Sequence, residues 1–316
     1  MKIVIPGGSG QVGTILARSF ANGGDDVVVL SRSPENSSWR SVAWDGESLG
    51  DWVSELEAAD VVINMAGRSV NCRYTPRNRR AIMESRLKST QILGEAIAQS
   101  TRPPRAWLQA STATIYAHRY DAPHDESTGI IGGAEPNTPD TWRFSIDVAT
   151  SWERVFNEAA TPRTRKVLLR SAIIMSPLPG GPFDLLLRLV RFGLGGTVGD
   201  GKQYVSWVHD EDFVSAIRWI IERTDLDGPI NVAAPNPLIN AEFMSSLRAA
   251  WGVPIGLPAP EWLLEIGAFM LRSESELALK SRRVVPGRLL ASGFRFDYPI
   301  WPDAASDLCS RWRNGD

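Results

Sequence analysis

Residues 1–13 read MKIVIPGGSGQVG, and the run Pro6-Gly7-Gly8-Ser9-Gly10-Gln11-Val12-Gly13 sets three glycines at Gly7-x-x-Gly10-x-x-Gly13. They stand where a β-branched strand gives way to an apolar-periodic helix. In that context the spacing has a mechanism: Gly7 and Gly10 permit positive φ and close approach of backbone N–H groups to a pyrophosphate. Gly13 lets the helix pack on the sheet, and the helix N-terminus attracts the anion. The loop therefore predicts dinucleotide binding rather than a purely structural turn, with Ser9 as a phosphate ligand. A Gly-x-Ser-x-Gly nucleophile elbow is excluded because position 11 is Gln.

Working outward, short β-branched runs alternate with longer helical stretches: Lys2–Ile5, Asp26–Leu30, Val61–Asn64, Trp107–Ala110 and Val167–Met175, separated by periodic segments such as Gln11–Ala21 and Arg80–Gln99. This alternation predicts a parallel sheet, and strands of nearly pure Val, Ile and Leu predict burial on both faces. The expected class is α/β, a Rossmann-like doubly wound parallel sheet. After Ile230 the pattern changes, with prolines followed by helical segments around Ala241–Trp251 and Glu261–Leu271. Residues 1–228 are read as the nucleotide-binding domain and 229–316 as a smaller C-terminal α+β domain on the substrate side. His118–Thr141, long and polar, is read as a lid over a pocket.

At the tip of the second strand an NAD-preferring site carries an acid for the ribose 2′-OH. Here stands Ser31-Arg32-Ser33, while Asp25 and Asp26 lie at the opposite end of the strand. A guanidinium pairs with a 2′-phosphate, so Arg32 and Ser31 predict NADP(H); the competing reading is a solvated arginine.

The 316 residues are 43% hydrophobic, enough to bury full cores without disulfides or metals. Thirty-four basic against thirty-six acidic residues leave too little positive field to hold nucleic acid. Cys72 and Cys309 show no ligand or disulfide spacing, and His118, His124 and His209 no helix-spaced metal pattern. No charged leader precedes the first strand, and Pro258–Leu271 is too short and too charged to span a bilayer. A cytoplasmic protein without membrane, metal or nucleic-acid partners is expected, acting on a small molecule as monomer or homodimer.

The residues resemble the atypical extended short-chain dehydrogenase/reductases called epimerase family proteins, which carry a small C-terminal domain of unknown function. The resemblance rests on the glycine loop, Asn64-Met65-Ala66-Gly67, Glu84-Ser85-Arg86 with Thr90, and Gly195-Gly196-x-x-Gly199-x-Gly201-x-Gln203 followed by Trp207-x-His209. Asn231-x-x-Ala234-Pro235 and Pro286-x-Arg288-Leu289-Leu290-x-x-Gly293-Phe294 extend it to the C-terminal part. It implies that Gly7, Ser9, Gly10, Gln11 and Val12 cradle the pyrophosphate, that Ser31 and Arg32 meet the adenosine phosphate, and that Met65, Ala66 and Gly67 line the ribose side. Arg86 is similar to a cofactor-facing position, though an ordinary surface helix residue fits equally. The Gly195–Gln203 run reads either as a flap over the nicotinamide or as a glycine hairpin, with Asp210 capping the next helix.

Ordinary members of that superfamily pair a Tyr with a Lys four residues on. Tyr74, Tyr116, Tyr120, Tyr204 and Tyr298 are followed at that spacing by Asn78, Tyr120, His124, Val208 and Pro302. If Glu153 is the glutamate that follows the tyrosine by eight residues, the two places fall on Ser145 and Ala149. The hydroxyl position survives in Ser111-Thr112-Ala113-Thr114-Ile115-Tyr116, where Thr112 aligns with the catalytic serine and Ser111 is a cofactor-side candidate; strand hydroxyls bonded to nearby backbone are the other reading. Tyr116, without its lysine, is expected to keep a pKa near ~10. Two functions follow: an NADP(H)-dependent oxidoreductase or nucleotide-sugar-epimerase-like enzyme, or a non-catalytic NADP(H) sensor or interaction protein.

Overall fold

The apolar runs become strands stacked in parallel, because each presents aliphatic side chains to both faces and so needs cover on both. In the computed structural model, which describes residues 1–34, 37–259 and 276–315, these are β1 (Lys2–Pro6), β2 (Asp26–Ser31), β3 (Arg40–Ala43), β4 (Val61–Asn64), β5 (Ala106–Thr112) and β6 (Arg165–Ser171). Short strands β7 (Ile173–Met175), β8 (Tyr204–Val205) and β9 (Trp207–His209) precede β10 (Gly228–Val232) and β11 (Leu238–Ile239). The main sheet has seven strands in the order β10-β6-β5-β4-β1-β2-β3, every pairing parallel. Strand order reverses on either side of β1, so its C-terminal end is the switch point at which such sheets bind ligands.

Alternate residues of the strands feed two cores. Ile3, Ile5, Val27 and Val29 pack with Leu16, Ala17 and Phe20 of α1 (Gln11–Asn22). Val4, Val28, Leu30 and Trp107 face the other way, onto Leu93, Ala96 and Ile97 of α2 (Pro76–Gln99) and Phe156 of α3 (Asp140–Glu158). Each such aliphatic side chain, taken fully out of water, contributes about 1.5–3 kcal/mol.

A third core joins α4 (Pro182–Arg191), α6 (Asn240–Trp251) and the helix Trp301–Asn314 through Phe183, Leu187, Phe243, Met244, Trp301 and Leu308. It also takes Met175 and Trp207. Conversely β10, at the start of the C-terminal part, is an edge strand of the main sheet. The helix α5 (Asp210–Glu222) lies with α1 on the first face. The helical segment expected at Glu261–Leu271 lies outside the described residues. Among the described residues no helix is long and apolar enough to cross a membrane.

The segment read as a lid is bonded on both flanks. His124 N donates to Arg283 O and Val285 N to His124 O, while Glu126 accepts from Asn231 N and Arg288 N. It is a strap tied to the C-terminal part rather than a free cover.

Candidate functional site

The glycine loop leaves β1 at the switch point. Gly7 has φ 74°, and a Cβ there would lie 2.5 Å from Ala66 Cα, so this position requires glycine for both reasons. Gly13 is equally confined, since its Cβ would come 2.4 Å from Gly8 Cα. Gly10 differs from the expectation: its φ is −74°, and a Cβ would meet only Gly7 O at 3.6 Å. What a side chain would take up there is the open side of the loop. Among the described residues no side chain caps α1 and no carboxylate stands in its first turn, which leaves the N-terminal N–H groups and the dipole to an anion.

Ser31, at the end of β2, donates its hydroxyl to Ser9 Oγ at 3.0 Å, so the strand tip and the glycine loop are in direct contact. Arg32 beside it is exposed and has neither ion pair nor hydrogen bond from its side chain among the described residues. Met65 N donates to Pro6 O, and Ala66 N to Asn64 Oδ1, holding the end of β4 against the loop. Gln11 Nε2 reaches across to Leu178 O at 3.3 Å. Val12 is half-buried against the first core.

Arg86 on α2 lies under Gly67, with its Cζ 3.2 Å from where a Cβ would stand. Its Nη1 donates to Ile82 O and Arg68 O, both at 3.0 Å, and its guanidinium lies 5.0 Å from the Trp152 ring. Among the described residues no carboxylate pairs with it. Burial pushes it down to about 10, which leaves it cationic at neutral pH.

Ser111 and Thr112 part company. Ser111 is buried and donates to Glu153 Oε1 at 2.6 Å. Thr112, half-buried at the C-terminal end of β5, accepts from Thr114 N at 3.1 Å. Tyr116 is buried, donating to Asn231 Oδ1 at 2.8 Å and accepting from Arg170 Nη1 at 3.0 Å. Burial raises its pKa above the ordinary value expected of it, so it is an internal tie.

A second polar cluster, absent from the sequence reading, closes over the turn after β5. The segment Glu276–Arg282 brings three buried charged groups: Glu276 and Lys280, each 1% exposed, and Arg282. Lys280 Nζ donates to Thr114 O at 2.7 Å, Arg282 Nε to Thr114 Oγ1 at 3.2 Å, and Ser145 Oγ on α3 to Glu276 Oε2 at 2.5 Å. Tyr74 Oη stands 3.4 Å from Ser145 Oγ. Burial, with Arg282 nearby, pushes Lys280 down to about 8. Ala149 is fully buried.

The Gly195–Gln203 run is stitched to residues 256–259: Gly196 N donates to Leu257 O, Gly199 N to Ala259 O, and Ala259 N to Thr197 O. It is held in place, unlike a hinged flap. His209 is buried, stacked 3.9 Å from Tyr298, with Nε2 3.0 Å from Asp307 Oδ2. It, rather than Asp210 alone, caps α5 by accepting from Glu211 N. A hollow of about 450 Å³ lined by Asp60, Arg105 and Arg165 lies at the opposite ends of the strands. Its Arg165 is engaged by the carbonyls of Leu226 and Ile220. Among the described residues no group of His, Cys, Asp and Glu is arranged to hold a metal.

Comparison with known proteins agrees with this geometry. Residues 3–233 match the model of the NAD dependent epimerase/dehydratase family, and residues 259–308 match a domain of unknown function, DUF1731. Epimerase family protein SDR39U1 of Bos taurus is 30% identical over 305 residues, covering 95% of this chain and 96% of its own. Epimerase family protein YfhF of Bacillus subtilis is 30% identical, with 98% of each covered. Among solved structures, human SDR39U1 with NADPH superposes with a TM-score of 0.85 at 27% identity, covering 98% of this chain and 99% of that one.

Proposed function

Because the chain belongs to the NAD dependent epimerase/dehydratase family, we propose that it binds NADP(H) at the β1 switch point and acts as an oxidoreductase or epimerase-like enzyme on a small molecule held above Thr112. The observation that carries this reading is the contact of Ser31 with Ser9, which sets the exposed Arg32 beside a glycine loop where Gly7 and Gly13 leave no room for a side chain.

The residues present fit the cofactor. Gly7, Ser9, Gly10, Gln11 and Val12 would hold the pyrophosphate, Ser31 and Arg32 the 2′-phosphate, and Met65, Ala66 and Gly67 the ribose side. Half-buried Arg86, which among the described residues has no carboxylate partner, adds a cation against Gly67. Ser111 sits behind this surface, and its tie to Glu153 gives it a supporting part. When bound, the nicotinamide supplies or accepts a hydride. Thr112 would hold the substrate oxygen, residues 1–228 carry the cofactor, and residues 229–316 close the substrate side. In the same reading the protein is cytoplasmic, a monomer or homodimer.

The absence of any Tyr-x-x-x-Lys favours a second reading, a non-catalytic NADP(H) sensor. Calorimetry with NADPH, NADP⁺ and NADH tests what both share. NADPH binding well above NADH supports the reading, and no heat with any of the three overturns it. NADPH consumption with a panel of ketones, quinones and sugar nucleotides then separates enzyme from sensor.

A further inference from the structure

The cluster around Ser145 plays no part in the glycine loop, yet it adjoins the strand end where a substrate would sit. Ser145 is half-buried, whereas the Glu276 carboxylate it donates to is shut off from solvent. The segment carrying Glu276 is anchored through Lys280 and Arg282 to Thr114, two residues beyond Thr112. α3 in turn packs on the turn Ala113–Ile115. A half-buried hydroxyl wired to a sequestered carboxylate, on elements packed against the turn that follows a parallel strand, is a way to move a proton to or from a ligand oxygen without exposing the acid.

We infer that Ser145 and Glu276 form the proton relay of this site, serving a substrate hydroxyl or carbonyl held beside Thr112. The inference rests on the NADP(H) reading above and deepens it. In oxidation of an alcohol, the O–H proton passes to Ser145 Oγ as the Ser145 proton moves to Glu276 Oε2, and the hydride leaving the same carbon is taken up by NADP⁺. Reduction of a carbonyl by NADPH runs the same transfers backwards. Ser145 is the catalytic residue and Glu276 a positioning residue that acts through it. Among the described residues, Lys280 and Arg282 on its own segment act on Glu276, and Tyr74 from the chain before α2 acts on Arg282 and stands beside Ser145. From the strap, His118 reaches both of these cations and Glu135 reaches Lys280.

A relay of this kind beside a bound nicotinamide would sense its charge, because the oxidised ring is cationic and favours an ionised carboxylate. Calorimetric affinities for NADP⁺ and NADPH, measured from pH 5 to 7, below the value near 8 at which Lys280 releases its proton, are expected to show the preference for NADP⁺ growing at least threefold with pH. That growth is lost in Glu276→Gln and kept in Ser145→Ala. With phenanthrenequinone as carbonyl probe, Ser145→Ala is expected to slow NADPH oxidation about 100-fold or more, with NADPH affinity within twofold of the parent. Thermal melting checks that both variants are folded, and Ser145→Ala, at a half-buried hydroxyl, keeps the test valid if Glu276→Gln is not. The relay is overturned if Glu276→Gln retains the parent's pH dependence, if that dependence is flat in the parent, or if Ser145→Ala oxidises NADPH at the parent's rate. Failure of the parent to bind either nucleotide overturns the cofactor reading instead.

Discussion

Glu153 on α3 grips the Arg170 guanidinium of β6 with both carboxylate oxygens, Oε1 to Nε at 2.8 Å and Oε2 to Nη2 at 2.7 Å, in a pair whose side chains are 9% and 11% exposed. Ser111 of β5 adds a third bond to Oε1, and Arg170 passes the chain on to Tyr116 and Asn231. Burial opposes the Arg170 charge, but Glu153 outweighs it and holds the guanidinium above its ordinary value. The network fixes α3 to the ends of β5 and β6, and so sets where Ser145 and Thr112 stand.

Removing one partner leaves the other charge buried and alone, which costs about 3–5 kcal/mol. Glu153→Ala is therefore expected to lose that much in urea denaturation, and Ser111→Ala about 1 kcal/mol. Equal, small losses for the two would show that the pair is solvated.

Arg32→Ala should weaken NADPH binding at least tenfold and leave NADH unchanged within twofold, since a charge-assisted bond to the 2′-phosphate has no counterpart in NADH. Raising salt should narrow the difference, because Arg32 is exposed. Titration by nucleotide fluorescence reads both.

The parts legible in the sequence were those with local signals. β1, β2 and β4 read as apolar runs because both faces are buried, and the glycine spacing marked the switch point. β3, Arg-Ser-Val-Ala, escaped notice because an edge strand with little burial carries no hydrophobic pattern. The spacing suggests a positive φ at Gly10 as at Gly7, yet Gly10 caps α1 in an extended conformation that needs none. The Ser145 cluster was out of reach for another reason. Ser145 and Glu276 are 131 residues apart, and Glu276 to Arg283 reads ELALKSRR, which looks like a solvated surface until tertiary packing buries it.

Gly7→Ala tests the loop apart from the charge. Left-handed backbone costs about 1–2 kcal/mol for a residue with a Cβ, and overpacking against Ala66 adds about 1–3 kcal/mol. Gly24, at φ 82° with nothing within 4 Å of its Cβ position, carries the first cost only. Gly7→Ala should therefore melt well below Gly24→Ala and bind NADPH far more weakly, and identical melting points would remove the close approach from the argument.

Lys280 gives the fold a pH signature in the alkaline range. Unfolded, its ammonium keeps a proton up to about 10.5; folded, burial and the neighbouring Arg282 release it at about 8. Between those values the unfolded chain binds more protons, so this group's contribution to stability rises with pH across the window, and the cost of burying the charge is felt in full below pH 8. The span corresponds to about 3 kcal/mol, undiminished by screening because the side chain is 1% exposed. Lys280→Met abolishes the rise while leaving Thr114 O without its donor, a loss of about 1 kcal/mol at all pH values. Urea midpoints at pH 7, 8, 9 and 10 should converge on, then pass, those of Lys280→Met as pH increases. Parallel curves for the two proteins would mean that Lys280 is solvated, and the anchoring of Glu276 beside Thr114 would fall with it.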